Sequence, residues 1–256
     1  MKFSIITPTF KRPEILGRTI ESVISQSHSD WEMLVINDNP GDSSSEVIKN
    51  FNDYRIKFFE NKTNSGVNFS RNYGLENVVN DSEYVIFLDD DDYLAPEALY
   101  DMAIELTKQR RIWLMTAVGN TTNSSLTISF KGTGTYSYAW DYLITKKIKG
   151  DATHCINSDL INGKQAKLRF PTKIKQAEEW LFYFELSKYS KIYYVQIVTK
   201  LINDYSKTGL NLRKRATKEQ LRTLSKIFAE ARSRDLLLSF HFWIYFTMRF
   251  VRSLIK

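Results

Sequence analysis

The first 118 residues alternate between short apolar runs and longer segments with helical spacing. Lys2–Ile6 is short, apolar and β-prone, and Trp31–Asp38 is apolar on both faces, as a buried parallel strand would be. In Pro13–Gln26, apolar residues recur every three or four positions after a proline suited to a first helical turn. This alternation predicts an α/β domain with a doubly wound, mostly parallel sheet. Further strands are predicted at 55–60, 83–88 and 111–118, and further helices at 43–51, 66–79 and 95–108.

Polar residues follow three of the predicted strands at the point where each strand ends. Thr7–Thr9 come after the first strand, Asn37–Asn39 after the second and Asp89–Asp92 after the fourth. In doubly wound sheets, ligands bind in the crevice outside the carboxyl ends of the strands. We therefore expect these three clusters to converge on one binding site.

The acidic run Asp89–Asp92 follows the apolar run Tyr84–Leu88 without a break. Four adjacent carboxylates repel one another, and a solvated acidic loop is the simplest explanation of a charge run. At the end of a buried strand the repulsion would be costly. A divalent cation removes that cost, because Mg²⁺ or Mn²⁺ binds one or two carboxylates and completes its shell with phosphate oxygens of a substrate. The position of the run therefore favours a site for Mn²⁺ or Mg²⁺ with a diphosphate.

Asp38 and Arg71 fit a nucleotide site but also have simpler explanations. Asp38 lies in a stretch rich in turn-forming residues, so it is either a turn residue or a carboxylate that accepts hydrogen bonds from a base or ribose. Arg71 is either a surface arginine or a phosphate ligand near the start of the helix predicted from Gly66. The chain contains neither G-x-G-x-x-G nor G-x-x-x-x-G-K-[ST], so neither a dinucleotide-binding fold nor a P-loop is predicted.

Three segments of the first hundred residues resemble, in order and spacing, the inverting GT-A glycosyltransferases of family 2. They are IITPTFKRPEILGRTIESVISQSHSDWEMLVINDNPGD, NSGVNFSRNYGL and YVIFLDDDDYLAPEAL. The resemblance implies a GT-A fold and a sugar-nucleotide donor, expected to be a UDP-sugar. It places a D-x-D element at Asp89 and Asp91, with Asp91 as the direct metal ligand. The nucleotide pocket would be lined by Pro8, Phe10, Arg12, Asp38, Asn64, Arg71, Asp89 and Asp90.

This chain departs from the family pattern at two positions. Asp38 is followed by Asn-Pro-Gly where the family commonly has a turn of the Asp-Gly-Ser type. Asp90 fills a position that the family often gives to serine. A histidine that often serves as a metal ligand later in the family has no counterpart in LINDYSKTGLNLR. The protein ligands of the metal are therefore expected to be few, or to include a residue that the resemblance does not identify.

The second half is expected to bind the acceptor and to supply a base. In Pro171–Leu186 the apolar residues have helical spacing, and Glu178 and Glu179 fall in the first turn. Acidic residues at a helix start complement the helix dipole, which requires no catalytic role. The segment also resembles the family's Glu-Asp motif, which implies Glu179 as the catalytic base, with a side chain longer than aspartate by ~1.5 Å. Weaker acceptor-side candidates are Glu178, Trp180 and His154.

His154 is followed by Cys155, the only cysteine of the chain. A single cysteine allows no intrachain disulfide, which suits a reducing compartment. One histidine beside one cysteine, without partners at metal-ligand spacing, is expected to line the acceptor site or the core. The N-terminal residues contain no apolar segment long enough for a signal peptide, so a cytoplasmic protein is expected.

Positive charge is concentrated in residues 211–256, which we call the tail. The tail carries 11 Lys and Arg against 3 Asp and Glu, whereas residues 1–210 are nearly neutral. Its aromatic run Leu236–Met248 is too short to span a bilayer. The pattern predicts an amphipathic helix on an anionic membrane surface, or alternatively a helix packed on the domain or on another subunit, which leaves an oligomer open. Nucleic acid is not expected as a partner because no recognised module accompanies the charge.

The composition, 256 residues with 43% hydrophobic and 25% charged, suits one large domain with an appendage. We predict a catalytic domain over 1–210, with a nucleotide-sugar half (1–118) and an acceptor half (119–210), and a C-terminal helical extension over 211–256. The expected activity is inverting transfer of a sugar to a saccharide acceptor, on a lipid-linked or surface polysaccharide precursor, at the inner membrane face. The rival interpretations are a nucleotidyltransferase, whose glycine-rich phosphate loop is missing, and a non-catalytic sugar-nucleotide-binding module.

Overall fold

The computed structural model describes residues 1–108, 113–121, 126, 132–163, 167–174, 178–202 and 217–255. Its strands are β1 Phe3–Thr9, β2 Trp31–Asn37, β3 Ile56–Glu60, β4 Tyr84–Phe87, β5 Asp92–Leu94, β6 Trp113–Asn120, β7 Gly134–Tyr136, β8 Ala152–Asn157 and β9 Ile192–Ile202. The α-helices are α1 Pro13–Ile24, α2 Ser44–Lys49, α3 Val67–Asn77, α4 Ala98–Lys108, α5 Ser158–Asn162, α6 Trp180–Leu186, α7 Thr217–Ser233 and α8 Phe240–Ile255. A π-helix spans Tyr138–Ile144 and a 3₁₀ turn spans Leu236–Leu238.

The nine strands of the described residues form one sheet in the order β3-β2-β1-β4-β8-β6-β9-β5, and β7 also pairs with β9. In the first half, β1 is parallel to β2 and β4, and β2 is parallel to β3, as the strand–helix alternation predicts. In the second half, β8 lies antiparallel between β4 and β6, and β5 is antiparallel to β9. The second half therefore continues the same sheet with mostly antiparallel pairs, although β6 is parallel to β9.

Two hydrophobic cores cover the two faces of the sheet. Successive residues of β1 point to opposite faces, so Ile5 belongs to one core and Ile6 to the other. The core of Ile5 is covered by α1 and α4. The core of Ile6 is covered by α3, α6 and the tail helices α7 and α8. Because both faces are buried, β1 and β2 are buried at every position and mostly apolar, as expected of central parallel strands.

The tail helices belong to the second of these cores. Ile227, Leu236 and Phe242 are fully buried and share that core with Trp180. The hydrophobic core thus continues across the predicted boundary at residue 210, and the division of the chain there stays a prediction. None of the helices in the described part of the chain is both long and apolar enough to cross a bilayer.

Gly74 allows α3 to approach the sheet closely. A Cβ atom at this position would lie 2.5 Å from Ile6 Cγ2 and 3.1 Å from Ile36 Cδ1. Both isoleucines are fully buried, and a branch methyl of a packed β-strand residue has little freedom to move away. The absence of a side chain at Gly74 therefore sets the distance between α3 and the parallel strands.

We expect Gly74→Ala to lower the free energy of unfolding by about 1–2 kcal/mol, because overpacking outweighs the gain in helix propensity. Urea denaturation measures this change. Gly17→Ala in α1 is the matched control, since its new Cβ would meet Phe51 and Val47 only at 3.9 Å. The control should gain about 1 kcal/mol of stability. Equal effects of the two substitutions would contradict the steric argument.

Candidate active site

The first, second and fourth strands end at the same edge of the sheet. Thr9 of β1 is in register with Asn37 of β2, and the Asp38 amide donates to the Thr9 carbonyl oxygen at 2.8 Å. The Leu88 amide, just beyond β4, donates to the Ile6 carbonyl oxygen at 3.1 Å. The three polar clusters that the sequence places at strand ends therefore lie side by side.

Two carboxylates of the acidic run are paired with cations from distant segments. Asp89 Oδ1 accepts a hydrogen bond from Arg71 Nη2 at 2.8 Å, and Asp92 Oδ2 accepts one from Lys200 Nζ of β9 at 2.5 Å. Burial raises the pKa of Asp89, but the charges of Arg71 and Lys200 and the Arg71 hydrogen bond together lower it below its ordinary value. Asp89 is thus held as a carboxylate at the edge of the sheet.

Arg12 is shared by the other two carboxylates. Its Nη1 donates to Asp91 Oδ2 at 2.7 Å and to Asp90 Oδ1 at 3.2 Å. Asp90 also accepts a hydrogen bond from the Thr9 hydroxyl at 2.8 Å. Burial raises the pKa of Asp90 to about 6 despite these partners, whereas Asp91 keeps 31% of its side-chain surface exposed. Asp90, the middle residue of the D-x-D element, is therefore buried and hydrogen-bonded within the protein, whereas Asp91 is partly exposed.

The donor set at this edge fits Mg²⁺ or Mn²⁺ held by few protein ligands. No three His, Cys, Asp or Glu side chains of the described residues cluster into a complete metal site. Asp89 and Asp91 keep 44% and 31% of their side-chain surfaces exposed. One or two carboxylates are sufficient when substrate phosphates and water complete the coordination shell. The metal-ligand role of Asp91 stays a prediction.

Arg71 connects the acidic run to the predicted base. Its side chain is only 4% exposed, and its Nη1 lies 3.0 Å from Glu179 Oε1. That contact is an ion pair without hydrogen-bond geometry, and neither Nη1 nor Nε of Arg71 has a hydrogen-bond partner among the described residues. Asp89 and Glu179 thus lie on either side of one buried guanidinium, which retains two unsatisfied donors.

Asp38 fixes the loop that leads into α3. Its carboxylate is buried and accepts hydrogen bonds from the amides of Ser65 and Gly66 and from Asn61 Nδ2, each at 2.8 Å. Gly66 has a φ of +92°, which favours glycine there. Asn64 is exposed directly beside these contacts. Asp38 is therefore a turn-stabilising residue at the proposed nucleotide site, and its contact with a nucleotide stays a prediction.

Pro8 and Phe10 lie at the end of β1. Pro8 is buried within the strand, opposite Ile36 of β2. Phe10 is partly exposed, and Lys11 Nζ lies 5.3 Å from its ring centroid. The eight predicted nucleotide residues thus lie along the carboxyl ends of β1, β2 and β4 and in and before α3. Their roles in binding a nucleotide stay predictions.

The helix predicted over Pro171–Leu186 begins at Trp180, with Glu179 at the N-cap position. Glu178 and Trp180 are buried, and both contact α8 as well as each other. Trp180 Nε1 donates to Glu178 Oε2 at 2.8 Å, and the Trp180 ring lies 4.8 Å from that of Tyr245. Ala177, which the helical pattern includes, lies outside the described residues. An acceptor contact by Glu178 or Trp180 stays a prediction.

His154 lies in an aromatic environment beneath the site. Its ring stacks on Tyr183 with centroids 4.1 Å apart, and its Nδ1 is 3.0 Å from Trp113 Nε1. Because indole is only a donor, Nδ1 must accept, which assigns the proton to Nε2. Burial, followed by the charge of Lys200, lowers the pKa of His154 to about 3. The residue is therefore a neutral imidazole, and Cys155 beside it is a buried free thiol.

Tyrosines of the π-helix extend this aromatic group toward Glu179. The rings of Tyr138 and Tyr142 stack with centroids 5.1 Å apart, and Tyr138 lies 5.7 Å from Tyr183. Burial raises the pKa of Tyr138 and Tyr183, and the nearby charge of Glu179 raises both further. Tyr138 and Tyr183 are buried in the core, and Tyr142 is the partly exposed member of the group.

Sequence reasoning missed two features of the site. Lys200 reaches the acidic run from a strand over a hundred residues later, and no local pattern distinguishes it from a surface lysine of β9. The aromatic group had a visible signal, because Tyr136–Tyr142 contains Tyr136, Tyr138, Trp140 and Tyr142 within seven residues. That density of aromatic residues is a composition typical of saccharide contacts or of a core, and only the fold places it beside Glu179.

Comparison with known proteins identifies relatives of the chain. The profile of the family described as Glycosyl transferase family 2 matches residues 4–163. The poly(ribitol-phosphate) β-N-acetylglucosaminyltransferase TarP of Staphylococcus aureus is 29% identical over 253 residues, which cover 89% of this chain and 71% of TarP. The GalNAc(5)-diNAcBac-PP-undecaprenol β-1,3-glucosyltransferase of Campylobacter jejuni is 41% identical over 101 residues, 38% of this chain and 32% of that enzyme. The chain thus spans only part of these relatives.

Solved structures show the same fold. S. aureus TarS 1–349 in complex with UDP-GlcNAc superposes with a TM-score of 0.73 and 20% identity, over 96% of this chain and 73% of that one. The UDP complex of TarS 1–349 superposes with a TM-score of 0.68 over 79% of this chain and 60% of that one. At this level of identity the likeness concerns the fold alone. The predicted GT-A architecture, with helices at the C-terminus, is confirmed.

Proposed function

Because the chain belongs to Glycosyl transferase family 2, we propose that it transfers one sugar from a nucleotide diphosphate sugar to an acceptor hydroxyl with inversion. The observation that carries the proposal is the row formed by Asp89, Arg71 and Glu179, with contacts of 2.8 and 3.0 Å. This row joins a donor-side carboxylate to a candidate base through one buried cation. A donor and an acceptor can therefore meet at Arg71.

Glu179 is the proposed general base. Its side chain is 37% exposed, so an acceptor hydroxyl can reach it. The carboxylate takes the hydroxyl proton as that oxygen attacks the anomeric carbon from the face opposite the leaving diphosphate. One displacement of this kind inverts the anomeric centre.

Arg71 is proposed to stabilise charge on the leaving group. A buried donor without a partner is costly, and two of its nitrogens lack hydrogen bonds among the described residues. An anion that accepts from them would remove that cost and would gain electrostatic stabilisation as charge develops on it. The diphosphate of a nucleotide sugar has this chemistry. UDP is the proposed nucleotide, since UDP and UDP-GlcNAc are bound in the structures of TarS.

Mn²⁺ or Mg²⁺ is the proposed cofactor, held by Asp91 with Asp89 beside it. When bound, the ion would neutralise diphosphate charge at this edge of the sheet. Asp90 and Asp92 are buried and paired with other groups, so they hold the loop rather than the metal. Arg12 donates to Asp91 at 2.7 Å and keeps that carboxylate in place.

A lipid-linked or surface polysaccharide precursor is the proposed acceptor. The C. jejuni relative is named for a substrate linked to PP-undecaprenol, and TarP is named for poly(ribitol-phosphate). Of the aromatic group near Glu179, Tyr142 is partly exposed and is the ring we propose to contact a sugar of the acceptor. The family match favours this activity over a nucleotidyltransferase, and retention of a base candidate favours it over a non-catalytic binding module.

We also propose that α8 holds the protein on an anionic membrane surface, at the inner face of the membrane. Its inward face, with Phe242 and Tyr245, packs into the core. Its outward face is apolar as well: Phe240 is 73% and Phe250 is 41% exposed, and Trp243 and Val251 lie on the same stripe. The helix α8 can therefore satisfy both alternatives for the tail. One face packs on the domain, and the opposite face is available for contact with a membrane.

Basic side chains accompany this stripe. Arg252 is exposed in the last turn of α8, and Arg222, Lys226 and Arg232 are exposed on α7, which contacts α8 through Phe228 and Trp243. Each cation near an anionic surface contributes about 1 kcal/mol, and inserted aromatics add to that. This combination supports a peripheral association with anionic lipid.

We expect Glu179→Gln to keep sugar-nucleotide binding and to lose transfer by about 10²- to 10⁴-fold, because the amide cannot accept the hydroxyl proton. Calorimetric titration with UDP-sugars and a product assay with the accepted donor measure the two effects. Glu185→Gln, on the same helix, is the control and should keep transfer. Normal transfer by Glu179→Gln would place the base elsewhere.

We expect Asp91→Ala to abolish metal-dependent binding of the donor while the protein stays folded. Donor affinity is measured with Mn²⁺, with Mg²⁺ and after EDTA, and circular dichroism checks the fold. Asp81→Ala, an exposed aspartate far from the acidic run, is the control. Wild-type donor affinity that EDTA leaves unchanged would contradict a role for the metal.

We expect the protein to sediment with vesicles rich in phosphatidylglycerol, and to be partly released by high salt. Phe240→Glu combined with Phe250→Glu should reduce sedimentation about tenfold or more, because two apolar contacts become charges repelled by the lipid. Tyr54→Glu, at a 92% exposed aromatic outside the tail, is the matched control. Surface substitutions are preferable to deletion, since removing α8 would take Phe242 out of the core. Equal vesicle binding by the double variant and the control would show that the outward apolar face of α8 does not bind the membrane.

A further inference from the structure

The carboxylate next to the proposed base is held by the tail. Arg249 of α8 donates to Glu178 through both terminal nitrogens, with Nη1 2.7 Å from Oε2 and Nη2 2.9 Å from Oε1. Trp180 Nε1 donates to the same Oε2 at 2.8 Å, and the guanidinium carbon lies 5.6 Å from the Trp180 ring centroid. Two residues of the base-bearing turn are thus fixed by one side chain that lies about seventy residues later.

A buried pair of this kind is a poor source of stability. Glu178 is almost fully buried, and withdrawing a carboxylate from water costs about as much as the ion pair returns. The pair does, however, impose geometry, because a planar guanidinium accepts only one orientation of the carboxylate that it forks. The contact therefore restricts the position of the Glu178 side chain and of the backbone that carries it.

Glu179 depends on that backbone. It is the N-cap residue of α6, and its side chain makes no capping hydrogen bond. Its carboxylate is oriented by one ion pair in the described structure, the 3.0 Å contact with Arg71. The amide of Leu181 donates to the Glu178 carbonyl oxygen, and that of Phe182 donates to the Glu179 carbonyl oxygen. The start of α6 is thus bonded to the turn that Arg249 holds.

We propose that Arg249 is a positioning residue for the transfer reaction: through Glu178 it sets the place of Glu179 relative to Arg71 and the acceptor hydroxyl. This inference rests on the proposed function, in which Glu179 is the base. The hydrogen bonds of Arg249 go to Glu178 and not to the proposed base. The effect of Arg249 on the reaction passes from Glu178, which this arginine holds, to Glu179, which is the next residue of the chain and the proposed base.

A matched control exists at the other end of α6. Arg234 donates to Glu185 Oε2 at 2.6 Å and also ties the tail to α6 through a partly buried ion pair. Glu185 is six residues beyond Glu179, about 9 Å along the helix. Arg249→Met and Arg234→Met therefore each remove an ion pair between the tail and the α6 segment, one beside the base and one away from it. Arg234→Met also removes a hydrogen bond to the Arg169 carbonyl oxygen and a pair with Glu230.

We expect Arg249→Met to lower kcat by about 10- to 100-fold and to change the donor KM less than threefold, because a misplacement of about 1 Å at the reacting groups has effects of this size. Arg249→Lys should recover part of kcat, since a lysine keeps the charge but not the fork. Arg234→Met should lower the midpoint of thermal unfolding with kcat within about threefold of wild type. If Arg249→Met does not fold, Glu178→Leu combined with Arg249→Leu replaces the pair by apolar side chains and removes the same constraint.

Hydrogen–deuterium exchange tests the positioning without any activity. Arg249→Met should speed amide exchange at Leu181–Tyr183, and Arg234→Met should speed it at Ser187–Ser190, the two ends of α6. Losses of kcat that follow thermal stability equally in both variants would overturn the proposal, as would unchanged exchange at Leu181–Tyr183 in Arg249→Met. If the wild-type protein transfers no sugar but the exchange pattern is as expected, the proposed function is refuted. The structural role of Arg249 in holding the turn before α6 would still stand.

Discussion

The mutual repulsion of Asp89–Asp92 is the constraint around which the site is built. Each carboxylate is placed against a cation or hydroxyl from another part of the chain: Arg71 of α3 at Asp89, Thr9 and Arg12 at Asp90, Arg12 at Asp91, and Lys200 of β9 at Asp92. The run lies in the connection after β4, and only its last member, Asp92, belongs to β5. Four charges that would oppose folding as a group thus attach the end of the sheet to α1, α3 and β9.

The features that could be predicted from the sequence are those with a local signal. The strands and helices of the first half follow from periodicity, and the convergence at the end of β1 follows from the rules of parallel sheets. The acidic run and Arg71 were recognisable because their neighbours place them on particular elements. Glu179 needed a resemblance, since an acidic residue at a helix start is ordinary on physical grounds alone.

The features that could not be predicted depend on contacts between distant segments. Lys200 is one lysine in a strand of mixed residues, and its burial against Asp92 results from the antiparallel pairing of β5 with β9. The second face of α8 was hidden for a similar reason. A helix with apolar and aromatic residues on all sides is typical of a membrane segment or of a core helix. In the sequence, Arg249 is one of several basic residues of the tail. Its partner Glu178 cannot be identified from spacing.

The shared core of β1 and α8 has a consequence for the order in which this protein can fold. Ile6 and Phe242 lie in one hydrophobic cluster although more than 230 residues separate them. During synthesis the parallel half can form early, but the core on this face of the sheet, which α3 and α6 cover in part, is completed only after α8 has left the ribosome. Long-range closure of this kind is slow and leaves apolar surface open to aggregation in the interval. The nascent chain therefore exposes part of this apolar core until α8 docks.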